Sequence, residues 1–198
     1  MSSLQQQKAS TANGFVRSLR AAQEDTIHNT VERFRKNKQP VRVATIVCQT
    51  EDGTLCGKTL SILLVKHTKG GPFMLPQGEY VKDDTPFMAS CSLLERELNI
   101  PSDELALVMK SCVILGHHSH MVPMKRKDHL HEVEEEKKLL VFTKMCVKEQ
   151  FARTVNKDIE HMTWVSNLAE AESMMDGMRD SSKFIAERDV IKSATGWK

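Results

Sequence analysis

Glu97 is the residue most suggestive of chemistry, and its neighbours work against that chemistry. On a helix, residues 93, 96 and 97 stand at i, i+3 and i+4 and share one face. That face carries Leu93, Arg96 and Glu97: one apolar group, one cation and one acid. A hard divalent ion such as Mg²⁺ needs oxygen ligands, one or two of them carboxylates. Bound there, it would offset phosphate charge and position a water. Two unit charges about 4 Å apart interact by roughly 4 kcal/mol at an effective dielectric near 20. A divalent ion beside Arg96 would meet about twice that repulsion. Asp84 lies upstream as a further acid. An ordinary solvated helix acid is the simpler reading of Glu97.

A second group suits contact with a polyanion. Phe73 stands just before Leu75-Pro76-Gln77-Gly78-Glu79, after the loop Lys69-Gly70-Gly71-Pro72. A base stacked on an aromatic ring gains about 1–3 kcal/mol. Arg35, Arg42 and Lys66 on neighbouring elements offer phosphate or base contacts. A core position for Phe73, and solvated surface charge for each cation, are the plainer alternatives. His117, His118, His120, His129 and His131 cluster in one polar stretch, read as a solvated loop rather than a metal or pH site.

The elements that position these residues follow from periodicity. Residues 1–14 are polar and read as disordered. From Phe15 to Lys38 apolar residues recur at helical spacing, and Pro40 stops the pattern. Val41–Thr50 and Lys58–His67 read as strands joined by a turn at Asp52-Gly53. Thr85 as N-cap and Pro86 at the first turn open a helix. Its predicted core stripe is Phe87, Cys91, Leu94 and Leu98. Residues 105–115 read as a strand, 116–138 as a polar segment, and 138–147 and 159–165 as strands. Helices are predicted over 167–178 and 181–192. This order gives an α/β sandwich with a mixed sheet. It divides the chain into a tail (1–14), a helical extension (15–40) and a domain (41–198).

Residues 71–100 resemble a Nudix box, G-x5-E-x7-R-E-U-x-E-E-x-G-U with U aliphatic. Anchored on Gly78, the pattern puts Asp84 at the first acid and Ser92 at the arginine. Leu93, Arg96 and Glu97 take the three helix acids, Asn99 the late glycine and Ile100 the closing aliphatic. Leu75–Glu79 matches the family's LPxGE element, and the resemblance in element order spans residues 41–178. It implies a Nudix-type α/β/α sandwich with a mixed β-sheet, and a site that has lost most of its acids. Within the superfamily the chain is most similar to the small-subunit family of pre-mRNA cleavage factor I. The shared features are Phe73–Glu79, a basic helix at 31–38 ahead of the first strand, and Lys137-Lys138-Leu139 closing a polar insertion. The family's Tyr-, Pro- and Gly-rich C-terminal stretch is missing. The resemblance implies a catalytically impaired RNA-binding subunit of a 3′-end cleavage and polyadenylation complex. It further implies a nuclear location (cytoplasmic or mitochondrial as alternatives), a base stacked on Phe73 and no cofactor. Two other readings stay open. One is an active hydrolase of nucleoside diphosphate derivatives or RNA caps, with Mg²⁺ on Glu97, Asp84 and a further acid, Glu79 or one of Glu134–Glu136. The other is an architectural subunit of a ribonucleoprotein.

Composition narrows the field further. The 198 residues are 40% hydrophobic and 27% charged, with a net charge of +2. These are values of a soluble globular chain, and no global field demands a nucleic acid or a membrane. No apolar run reaches membrane-helix length. The Met-rich C-terminal helices and the amphipathic N-terminal helix suggest protein partners, as a homodimer or heteromer. The five cysteines lack any CxxC spacing and read as free thiols.

Overall fold

The computed structural model describes residues 25–81, 84–100, 112–123, 135–150, 157–176 and 182–198. Helical residues 25–36 (α1) lead into β1 (Val41–Thr50) and β2 (Thr59–His67), then the three-residue β3 (Gln77–Glu79). The chain continues through α2 (Pro86–Leu98), β4 (Val113–Pro123), β5 (Glu135–Val147) and β6 (Ile159–Val165). It ends in α3 (Leu168–Met174) and α4 (Ser182–Thr195). The predicted tail at 1–14 and the start of the predicted N-terminal helix lie outside the described residues.

Among the described residues six strands form one mixed sheet in the order β4-β5-β1-β2-β6, with β3 pairing β1. The β1–β5 pair is parallel and the remaining pairs are antiparallel. Side chains alternate across the pleat, and each face has its own core. Ala44, Ile46, Cys48, Leu140 and Phe142 meet α3 and α4. Val41, Val43, Leu139 and Val141 meet α1 and the start of α2, through Ile27, Val31, Phe34 and Ala89. Val47, Leu63, Val65 and Met145 meet the end of α2. The expected α/β/α sandwich is therefore present.

Thr85 caps α2 by accepting from the Met88 N–H at 3.2 Å, and Pro86 opens it as expected. Asn99 closes it in the left-handed region, at φ 52°. The buried side of α2 is Ala89, Ser90, Leu93, Leu94 and Leu98; Phe87 and Cys91 are only half-buried. The predicted stripe was rotated toward the bulkier residues. Small residues face the sheet because α2 sits close to it. Ser90 Oγ lies 2.7 Å from Thr143 Oγ1, which lies 3.1 Å from Thr45 Oγ1.

The polar segment expected over 116–138 is also corrected. Its first part belongs to β4 and its last part to β5. Of the strand expected over 105–115, residues 105–111 lie outside the described residues and 113–115 open β4. An edge strand exposes one side of its ladder, so polar residues are compatible with it. His117, His118 and His120 therefore sit on a strand, not in a loop. His129 and His131 lie outside the described residues. The cysteines are free, with Cys48 and Cys146 buried as register partners on β1 and β5.

Candidate functional site

Gly78 brings the three α2 residues together. A Cβ built on it would lie 2.7 Å from Leu93 Cδ1, 3.3 Å from Arg96 Nη2 and 3.6 Å from Glu97 Oε1. The packing of strand against helix at this point leaves no room for a methyl group. Leu93 is 1% exposed, so the position that the resemblance assigns to an acid is part of the core. Arg96 Nη2 lies 3.5 Å from Glu97 Oε1. The Glu97 side chain is only 17% exposed, and its Oε2 is buried without a hydrogen-bond partner. It is not the solvated acid expected from sequence. Burial pushes its carboxyl up, against the pull of Arg96, His67 and Arg42.

Asp84 precedes the N-cap of α2, while Glu97 sits at the helix's far end. At 1.5 Å per residue they are separated by roughly 18 Å along the axis. Glu79 pairs with Arg42 across β3 and β1, one step out of register with Gly78. It therefore projects from the sheet face opposite α2. Among the described residues no three His, Cys, Asp or Glu side chains stand together as a ligand set for a metal. One acid already paired with a guanidinium does not fit the divalent ion that the hydrolase reading needs. Glu134 lies outside the described residues. Beside Glu97 a cleft of about 220 Å³ is lined by His67, Thr68, Lys69 and Asp158.

The predicted polyanion contacts fall into two groups. Arg35 and Arg42 line one open cleft of about 870 Å³ with Lys36, Glu32, Glu79 and Tyr80. Arg35 stacks over Tyr80, 4.8 Å from the ring centroid, pairs with Glu32 at 3.1 Å and donates to the Val81 carbonyl at 2.5 Å. Burial pushes the Tyr80 hydroxyl up to about 12, with Arg35 pulling the other way. Lys66 and Phe73 form the second group. The Val65–Met74 bridge sets them beside each other on the α3 face. Phe73 is half-buried against the core, and its N–H donates to the Met174 carbonyl at 3.2 Å. Lys66 pairs with Glu160 at 3.6 Å.

Arg42 also lines a second cleft of about 310 Å³, with Gln77, His120, Lys138 and Lys183. Sequence reasoning missed Gln77, Lys183 and Glu187. Glu187 is fully buried, accepts from Gln77 Nε2 at 2.9 Å and lies 3.5 Å from Lys183 Nζ. Burial raises the Glu187 carboxyl and lowers the Lys183 ammonium. The available sign was the i, i+4 spacing of Lys183 and Glu187 on a helix, which usually marks a solvated pair.

No protein-family model matches the sequence. No curated protein matches it either. Solved structures do. The E. coli dihydroneopterin triphosphate pyrophosphohydrolase aligns over 78% of this chain and 94% of its own, at 9% identity and a TM-score of 0.55. A Nudix hydrolase from M. smegmatis, RenU, aligns over 80% and 86%, at 13% identity and a TM-score of 0.53. A C. elegans Ap4A hydrolase in a binary complex aligns over 78% and 96%, at 13% identity and a TM-score of 0.51. At such identities the likeness concerns architecture, and the architecture of this chain is the Nudix fold.

Proposed function

We propose that this chain uses a Nudix fold to bind single-stranded RNA rather than to hydrolyse a pyrophosphate. One observation carries the reading. The α2 face that would hold a metal is closed by Leu93 and Arg96, while Arg35 and Arg42 meet in an open cleft at the start of β1. Phosphates run along Arg42 and Arg35, and a base stacks on the exposed part of Phe73 beside Lys66. In this reading the chain works as a subunit of a nuclear pre-mRNA 3′-end processing complex, in a homodimer or with other proteins. The likeness of Phe73–Glu79 and of the basic N-terminal helix to the cleavage factor I small-subunit family supports that assignment.

Phe73→Ala tests the stacking contact. Affinity for single-stranded RNA should fall by about 1–3 kcal/mol. The melting temperature should fall only modestly, because the ring is half-buried rather than enclosed. Unchanged affinity with a large drop in melting temperature would mean that Phe73 serves packing alone.

One observation favours the rival hydrolase: Glu97 Oε2 is buried, lacks a hydrogen-bond partner and belongs to the α2 acid that lies against Gly78. The binding reading expects no Mg²⁺-dependent turnover of nucleoside diphosphate sugars, dinucleoside polyphosphates or capped RNA above background. Turnover that disappears in Glu97→Gln would replace it with the hydrolase.

A further inference from the structure

We propose that the cleft between β4, β5 and α4 is a phosphate site, and that filling it loads a proton onto His120. The idea deepens the RNA-binding reading and rests on it only for the source of the phosphate.

The wall of this cleft has a specific composition. Arg42 on β1, Lys138 on β5 and Lys183 on α4 bring three cations to one space of about 310 Å³. Met121, Val122, Leu139 and Leu140 supply the apolar remainder, which keeps the local dielectric low and strengthens charge interactions. Gln77 and Lys183 are braced from behind by Glu187, which is buried and already engaged with both. Lys138 is held by Glu136 at 3.5 Å. Guanidinium and ammonium groups converging on an apolar-backed space match a tetrahedral oxyanion.

His120 faces the same space. Its register partner is Lys138, and its ring stacks on His118 with centroids 6.0 Å apart. Its Nδ1 is buried and has no hydrogen-bond partner. The groups facing it are Lys138 from β5, Arg42 from β1, Lys183 from α4, with Glu187 behind it, and His118 from its own strand. Burial first, and then these cations, push the imidazole down to about 4. His120 is therefore neutral near pH 7. An anion among the same cations cancels their repulsion, so His120 gains a proton as the anion enters.

Sulfate is the probe, because it has the shape of phosphate but does not itself titrate between about pH 5 and 8. Calorimetry in two buffers of different ionisation enthalpy should show proton uptake on sulfate binding near pH 6. Affinity should rise as pH falls from about 7 to 5, by no more than about tenfold per unit for one proton. In His120→Asn sulfate should still bind, without proton uptake and with a flattened pH profile. Lys138→Met, at the half-exposed mouth of the cleft, should weaken sulfate about tenfold without unfolding the protein. No sulfate binding at millimolar concentration, or proton uptake that survives in His120→Asn, overturns the proposal.

Single-stranded oligoribonucleotides with and without a 5′-phosphate then identify the source. Displacement of sulfate by the phosphorylated form alone marks a terminal phosphate, and equal displacement marks a backbone phosphate. RNA binding that leaves sulfate in place overturns the link between this cleft and RNA. Proton-linked sulfate binding in a protein that binds no RNA sinks the RNA reading and leaves the anion site standing.

Discussion

Lys183→Met should cost about 3–5 kcal/mol of stability at neutral pH, the scale for stranding one partner of a buried ion pair. Glu187 is fully buried, and Gln77 would be its sole remaining partner among the contacts described above. The pH dependence gives the cause away. The folded carboxyl is raised above its unfolded value, so the native state holds a proton that the unfolded chain has released. Stability therefore falls as pH rises through the window above the unfolded value, and the variant should widen that window. Melting temperatures of wild type and variant should diverge at pH 7 and draw together as pH falls toward about 5. A constant gap across that range would show that lost packing, not the stranded carboxylate, sets the cost. Glu187→Gln in the same background should recover part of the loss, because an amide carries no charge.

Phe142→Ala should cost a similar amount, about 3–5 kcal/mol, by a different route. Phe142 is 1% exposed on β5, with Ala44 as register partner on one side and Gly116 on the other. Two small neighbours leave its ring as the filler of that part of the core, packed beneath α3 and α4. Chemical denaturation should show the loss with no dependence on pH between about 5 and 8, unlike Lys183→Met. A cost below about 1 kcal/mol would mean that α3 and α4 close over the cavity.

How far the sequence revealed these arrangements depended on the kind of element. Central strands such as Val41–Thr50 were legible because both faces are buried and the residues are β-branched or aliphatic. The start of α2 was legible because Thr85 and Pro86 are local backbone devices, whereas its end at Asn99 was not read. Its rotation was not legible either. Apolar size pointed to Phe87 and Cys91, whereas close approach to the sheet selected Ala89 and Ser90. Edge strand β4 was hidden by its own polarity, because His117, His118 and Ser119 look like loop residues until a neighbour pairs with them.

The candidate site was half legible. Spacing on a helix put Leu93, Arg96 and Glu97 on one face, and the structure gathers them at Gly78. The buried Glu187 behind the second cleft could not be read, because a glutamate on a helix is ordinarily solvated. Only the packing of α4 against β3 reveals it, through the bond from Gln77.

The central claim is that this fold binds RNA through Arg42 and the cations around it. Its most direct test is a fluorescence anisotropy titration of a labelled single-stranded RNA against wild type and Arg42→Ala, repeated over a range of salt concentrations. Arg42 lines both cationic clefts, so its removal should weaken binding at every salt concentration. It should also lower the log–log salt slope by about 0.7, the value for one phosphate contact to a single strand. An affinity and slope unchanged by Arg42→Ala, or no binding by wild type at low salt, would contradict the account.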